Sequence, residues 1–257
     1  MRLLLRNFYH TLNRFRMASL LNILGLSVAF AAFMIILIQA RYDLTFDKFH
    51  PQADNIFMVQ TGGNGSEFGY YISRPIFDDF VRSSPHIRAA SLMDSQRVVF
   101  SPLKDKAQQE GFRATLTHCQ EGLTRIVDFQ LVEGSLQCLS QPGQVMIPQS
   151  LARTLFGQES AIGRILFLKD RVYRVNNQYF TIEGVYRDLP ENSHFRNDIY
   201  AGFGQRGEGA WGEFNYNGFV LLDNPQAGAE VIENFKRTHP EHFNKIPFFT
   251  DMQLIWL

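Results

Sequence analysis

Met17-Ala-Ser-Leu-Leu-Asn-Ile-Leu-Gly-Leu-Ser-Val-Ala-Phe-Ala-Ala-Phe-Met-Ile-Ile-Leu-Ile-Gln-Ala40 runs for 24 residues without a charge, and its reading decides the architecture. A helix rises about 1.5 Å per residue, so this stretch reaches about 36 Å and spans a hydrocarbon core of ~30 Å with some tilt. Of its polar members, Ser19 and Asn22 lie near one end and Gln39 at the other, where water or headgroups can satisfy them; Ser27 lies between. Gly25, Ala29 and the pair Ala31-Ala32 are small enough for a second helix to approach, and they equally fit ordinary membrane-helix composition. A cleaved signal peptide has an apolar core of only ~7–15 residues. Ala29-Phe-Ala31 imitates its cleavage site, but mostly apolar residues continue to Ala40. A buried core helix seldom runs this far without a charge. The expected element is an uncleaved transmembrane helix over residues 17–40.

Before it stand Arg2, Arg6, Arg14 and Arg16 with no acid, whereas Arg41, Asp43, Asp47 and Lys48 follow it in near balance. The excess of positive charge holds the N-terminus in the cytoplasm and exports residues 41–257. At 100° per residue, Leu4, Leu5, Phe8, Leu12 and Phe15 gather on one side of a helix and Arg2, Arg6, His10, Asn13 and Arg16 on the other. Residues 1–16 therefore read as a basic amphipathic stub lying on the lipid interface.

The chain has 257 residues, 45% of them apolar and 19% charged, which excludes a disordered protein. Four of the 25 basic residues lie in the first 40, so the rest carries 21 basic against 25 acidic residues, about −4 net. A mildly acidic domain does not gather the Lys and Arg clusters that nucleic acid demands. Beyond Arg41 the sequence predicts short strands at Asn55–Gln60, Arg97–Ser101, Phe112–Thr117, Gln144–Pro148, Tyr179–Tyr186 and Gly218–Leu222. It predicts helices opening at Pro75, running from a Ser150 cap to a Gly157 stop, and spanning Ala227–Thr238. Val127–Gly134 ends in a turn, residues 60–69 form a loop or hairpin, and Phe203–Gly212 is rich in glycine. Strands and helices mix without regular βαβ alternation, so the fold class is α+β.

No set of residues points to catalysis or to a resident cofactor. The Gly60s loop lacks GxxxxGK[ST] and GxGxxG spacing, so any ATP is used by another chain. There is no GxSxG elbow. His239-Pro-Glu-His242 is not HExxH, and Pro240 interrupts the helix face; the two read as surface histidines at a helix end. Asp78-Asp79 and Glu191 are isolated acids. Cys119 and Cys138 lie in the exported part, where a disulfide is permitted, and two unpaired, half-buried thiols are the other reading; no CxxC pair supports a metal. Most of the 24 Phe belong to the core, whereas Tyr70, Tyr71, Trp211 and Phe214 sit in glycine-rich polar surroundings and are candidates for an exposed contact surface.

A set of stretches in fixed order carries a family resemblance: Ile23-Leu-Gly-Leu26, Tyr42-Asp-Leu-Thr-Phe-Asp-Lys-Phe-His50, Asp54-Asn-Ile-Phe57, Phe129-Gln-Leu-Val-Glu-Gly134, Pro142-Gly143, Ser150-Leu-Ala-Arg-Thr-Leu-Phe-Gly157, Ile162-Gly163, Phe180-Thr-Ile-Glu-Gly-Val-Tyr-Arg-Asp-Leu-Pro-Glu-Asn-Ser-His194 and Pro247-Phe-Phe-Thr-Asp251. The chain resembles the N-terminal half-repeat of MacB/FtsX-like ABC transporter permeases, including the MacB-like periplasmic core domain. That resemblance implies an inner-membrane protein with a periplasmic domain in two parts: a porter-like subdomain, residues 41–118 and 199–257, and an inserted subdomain, residues 119–198. It also implies a cytoplasmic ABC ATPase as partner, pairing with another permease subunit, and ATP-driven helix motion that works the periplasmic domain (mechanotransmission). Family permeases carry further membrane helices, whereas nothing long and apolar follows Ala40. A truncated product, a fragment and an accessory subunit are therefore all expected readings. From a different class comes a single-pass sensor or scaffold with an extracytoplasmic ligand domain.

Overall fold

The computed structural model describes residues 14–63, 67–102, 111–170, 175, 177–246 and 249–257. The expected stub helix lies outside these residues except for its last three. The described chain divides into two compact units, Met1–Phe46 and Asp47–Leu257.

Among the described residues the first unit holds helix α1 (Arg16–Leu44), four residues longer at its C-terminus than the apolar run. Gln39 Nε2 donates to Asp43 Oδ1 at 2.9 Å, one turn on. The Thr45 hydroxyl donates to the Arg41 carbonyl at 2.8 Å, which also receives the Thr45 N–H at 3.1 Å. Arg41 in the last turn also suits the negative end of the helix dipole. Every side chain of α1 is exposed or half-buried, with Leu26 at 72% and Val28 at 68% exposure. An apolar, uncovered surface of that length is suited to lipid.

The second unit is built on ten strands: β1 (Ile56–Gly62), β2 (Ile87–Pro102), β3 (Phe112–Cys119), β4 (Leu131–Gly134), β5 (Gln144–Pro148), β6 (Ile165–Leu168), β7 (Tyr179–Tyr186), β8 (Ile199–Gly202), β9 (Asn217–Leu222) and β10 (Asp251–Trp256). Their order is β10-β1-β9-β2-β3-β8-β5-β7-β4, with β6 bridging β2 and β7. That bridge closes β2, β3, β8, β5, β7 and β6 into a ring, a small barrel, while β10, β1, β9 and the first half of β2 form an antiparallel sheet beside it. β2 belongs to both: Ile87–Met93 pairs with β9 and Met93–Phe100 with β3. Leu116–Cys119 of β3 pairs in parallel with Ile199–Gly202 of β8.

The open sheet is covered on both faces, which explains why β1 is buried throughout. Ile56 and Met58 enter one core with Phe195, Phe219 and Tyr200; Phe57 and Val59 enter the other. Helices α2 (Arg74–Arg82) and α5 (Gly228–Thr238) cover that second face, and Phe80 meets Phe235 edge-on at 5.3 Å. Pro75 stands in the first turn of α2, where its missing N–H costs nothing. A third core, with Val98, Phe100, Leu116, Val145, Leu166 and Phe180, fills the barrel. Helix α4 (Gln149–Phe156) packs Ala152 and Phe156 onto it and stops at Gly157, whose φ of +65° is cheap for glycine alone. Two short helices complete the fold, α3 (Leu123–Ile126) and α6 (Pro240–Lys245).

The structure corrects several sequence expectations. Ser150 is not the cap of α4: Pro148 precedes the helix without a side-chain cap, and the Ser150 N–H is instead received by Asp188 Oδ1 from across the fold at 3.0 Å. β2 starts ten residues before Arg97, and β6, β8 and β10 were not anticipated as strands.

Candidate functional site

Where the chain enters the second unit it makes a tight turn at Asp47, whose φ is +54°, the one positive value outside glycine among the described residues. Asparagine and aspartate tolerate this region best because their short polar side chains bond locally. Here the carboxylate bonds far away. Asp47 Oδ1 accepts from the Ser193 hydroxyl at 2.7 Å and from the His194 N–H at 3.0 Å, and Oδ2 meets His194 Nδ1 at 2.5 Å. The Asp47 N–H donates to the Asn192 carbonyl at 2.9 Å. Asp47 is 1% exposed. Burial alone would raise its pKa, but the hydrogen bonds from His194 and Ser193 outweigh that and hold it below the usual carboxylate value.

The loop that Asp47 grips, residues 187–198, is fastened in turn. Asn197 receives the Leu189 N–H at 2.7 Å and donates to its carbonyl at 3.0 Å. Tyr186 donates its hydroxyl to the Asp198 carbonyl at 2.7 Å, and Thr117 on β3 donates to Asp198 Oδ2 at 2.7 Å. Phe195 is fully buried and lies 5.1 Å from Phe219 and 5.4 Å, edge-on, from His50. His50 is 3% exposed and lies 3.8 Å from Phe49 with the rings tilted by 38°, and neither ring nitrogen has a partner among the described residues. Burial depresses its pKa against the pull of Asp47 and Asp128. The clamp therefore connects the turn just after α1 in sequence to β7, β8, α4 and β3 at once, through hydrogen bonds of which the Asp47–Ser193 one is buried and most others are part-buried.

With this geometry in place, comparison with known proteins is informative. Residues 19–238 match the family of MacB-like periplasmic core domains. The chain belongs to that family. The structure resembles a domain of a putative permease from Porphyromonas gingivalis (19% identity, TM-score 0.66, 81% of this chain and 92% of that one). It also resembles the extracellular domain of the noncanonic ABC-type transporter YknZ from Gram-positive bacteria (14%, 0.56, 78% and 100%) and the periplasmic region of MacB from Actinobacillus actinomycetemcomitans (15%, 0.55, 79% and 89%). At such identities the likeness concerns the fold. No curated protein gives a significant sequence match. Among the described residues this MacB-type α+β domain follows one apolar helix long enough to cross a membrane.

The residues singled out in the sequence lie elsewhere. Tyr70 and Tyr71 are exposed, and the segment pairs with the stretch after Phe214: Asn217 Nδ2 donates to the Tyr70 carbonyl at 3.0 Å, and Ile72 bridges Tyr216. Trp211 is 46% exposed, while Phe214 is half-buried against Phe249 at 5.8 Å. His242 is not on the surface: it is 6% exposed, bonds Asp79 Oδ2 through Nε2 at 2.9 Å, and lies 5.2 Å from Trp211. Pro240 opens α6 and turns His242 inward. Cys119 and Cys138 are unbridged thiols buried in one core, and burial pushes Cys138 up to about 11 and Cys119 higher still. Among the described residues no group of three or more His, Cys, Asp and Glu could hold a metal. Sequence reasoning missed the clamp because its halves stand 146 residues apart, although both fall within stretches that carry the family resemblance.

Proposed function

We propose that this chain is a permease component of a MacB/FtsX-type ABC transporter, its periplasmic domain coupled to ATP-driven motion of its membrane helix. The observation that carries the reading is the Asp47 clamp, which ties the turn three residues beyond α1 to the 187–198 loop and through it to the barrel. Force needs a short, stiff route into a folded body, and hydrogen bonds converging on a buried carboxylate are one. The ATPase and a second permease subunit come from the cytoplasm and the same membrane, and the chain itself catalyses no reaction. The arginines ahead of α1 put the N-terminus in the cytoplasm and residues 41–257 in the periplasm.

The test is done in native inner membranes. A cysteine at Tyr70 reports the far end of β1, and its labelling rate is followed with and without ATP and vanadate. An ATP-dependent rate in the parent chain that disappears in Asp47→Ala, with both variants inserted equally, supports the coupling. A rate indifferent to ATP in the parent overturns it. A reporter fused after Thr61 should be active only outside the cytoplasm; activity inside would reverse the topology.

A further inference from the structure

The open sheet ends at β10, which pairs with β1 on one side and with no strand on the other among the described residues. Its bonding register is read from β1. Thr61 exchanges both backbone hydrogen bonds with Gly69, and the Gly62 and Ile56 carbonyls receive the N–H groups of Thr250 and Leu257. Successive residues of a strand turn their backbone groups to opposite sides, so Phe57, Val59 and Thr61 turn theirs away from β10. Their cross-strand neighbours Trp256, Leu254 and Met252 accordingly direct N–H and C=O outward, to the open edge. The Met252 N–H is capped by Asp251 Oδ1 at 2.7 Å, and Lys236 Nζ holds the same oxygen at 2.5 Å. The N–H groups of Leu254 and Trp256 have no such cap among the described residues. From Met252 to Leu257 the strand also carries neither charge nor proline, the usual means of blunting an open edge. A groove of about 770 Å³ runs along this edge, between β10 and α5. At one end Gly228 lies against Leu254, and Trp256 stands 68% exposed. At the other end lies Glu233. The cation there, Lys236, is committed to Asp251, and Glu233 has no cationic partner among the described residues, so this end is acidic.

We propose that β10 and this groove take up an extended segment of another polypeptide as an added antiparallel strand, one with apolar residues at alternate positions followed by Lys or Arg. Its backbone pairs with Leu254 and Trp256, and its apolar side chains extend the second core over Leu254 and Ile232. Its cation meets Glu233. The orientation follows from α5, whose Gly228 end lies at Leu254 and whose Lys236 end lies at Asp251: a strand antiparallel to β10 reaches the acidic end last. A second copy of β10 fits less well, because Asp251–Trp256 has no cation to offer Glu233. The assignment does not depend on the coupling role of the clamp.

The probe is the end-blocked peptide Ser-Ile-Ser-Ile-Ser-Lys-Ser, titrated against the full chain in detergent micelles, with Trp211→Phe leaving Trp256 as the indole reporter. The fluorescence change should saturate below about 1 mM. Bound peptide should slow hydrogen exchange of the Leu254 and Trp256 amides by about tenfold or more. Methylating the peptide nitrogens that face β10 should abolish binding, since the apolar side chains remain and the strand bonds do not. Replacing the peptide Lys by Glu should weaken binding about two- to fivefold, and Glu233→Lys, an exposed position, should reverse that preference. No saturation by about 1 mM, equal binding of the methylated peptide, unmoved exchange at Leu254 and Trp256, or a preference for Lys that survives Glu233→Lys each overturn the assignment. Protection of the two amides that grows with protein concentration in the absence of peptide would give the edge to a second copy, and overturns it as well.

Discussion

Asp47→Ala is the perturbation that most sharply tests the reading of the clamp. It removes three acceptor contacts, to the Ser193 hydroxyl, the His194 N–H and His194 Nδ1. Hydrogen bonds to a charged partner contribute about 1.5–3 kcal/mol each, and the buried Ser193 hydroxyl is left searching for an acceptor. Alanine also inherits a φ of +54°, a region that costs it roughly 1–2 kcal/mol. These contributions are not additive, because the 47–55 segment can detach and let water reach the loop. The expected loss is about 3–5 kcal/mol, within the range for breaking a buried charged network. Asp47→Gly should recover about 1 kcal/mol of it by relieving the backbone. Asp47→Asn keeps one oxygen and should cost less than either. The assay is urea unfolding of the full chain in micelles, with hydrogen exchange of the His194 and Phe195 amides read in parallel. A double-mutant cycle with His194→Ala should give a coupling of at least ~1 kcal/mol. Additive losses, or exchange at His194 unchanged by Asp47→Ala, would show that the contacts carry no load.

Three further outcomes follow from groups in or against the core. His50 and His118 both have folded pKa values below 6.5, so below that pH the unfolded chain binds protons that the folded one refuses. Stability should be full above pH ~6.5 and decline as pH falls toward 3, by about 2 kcal/mol at pH 5 from His118 alone, and His118→Leu should flatten that slope in a pH series of urea midpoints. A Cβ at Gly122 would stand 2.0 Å from the Ala90 carbonyl oxygen, backbone against backbone, so Gly122→Ala should destabilise by more than ~2 kcal/mol, and an unchanged midpoint would contradict the α3–β2 contact. Cys119 and Cys138, buried with raised pKa values, should both react with a thiol reagent only after denaturation; a mass two units lower and no reaction when unfolded would reveal a bridge instead.

The sequence made α1 legible because 24 residues without a charge have few other readings. It made β1 and β9 legible because strands buried on both faces become continuous apolar runs. The part of β2 before Arg97 was hidden: Arg88, Asp94 and Gln96 interrupt the pattern, and Ala89-Ala90-Ser91 lacks the bulk that marks a strand. β6 and β8 have four residues each, too few to show a period. α4 was found with the wrong cap, since a local Ser150 was the natural capping acceptor and Asp188, which receives an N–H there instead, lies 38 residues on. The same locality hid Asp47 and His118. One matters for a partner 146 residues away, the other for a partner it lacks, and neither property exists until the chain has folded.

The route beyond the clamp yields a last prediction. Thr117 donates to Asp198 Oδ2 at 2.7 Å and accepts from the Ser95 hydroxyl at 2.8 Å, so one hydroxyl joins β2, β3 and the end of the clamped loop. Burial raises the Asp198 pKa, opposed first by the Thr117 bond, then by Arg196 and Thr115. Thr117→Val keeps the shape and removes the bond, leaving a buried carboxylate with less support. Its pKa should climb further, so the folded state should suffer most when Asp198 is ionised. For a carboxyl group whose folded pKa lies above its unfolded one, stability is greatest below the unfolded value and falls as pH rises through the folded value. The deficit of Thr117→Val should accordingly be about 2 kcal/mol near pH 7 and shrink in acid as Asp198 takes up its proton in the folded chain. Paired urea titrations at neutral and acid pH measure it. A deficit independent of pH would mean that Thr117 acts by packing alone and that the β3 end of the clamp carries no charge.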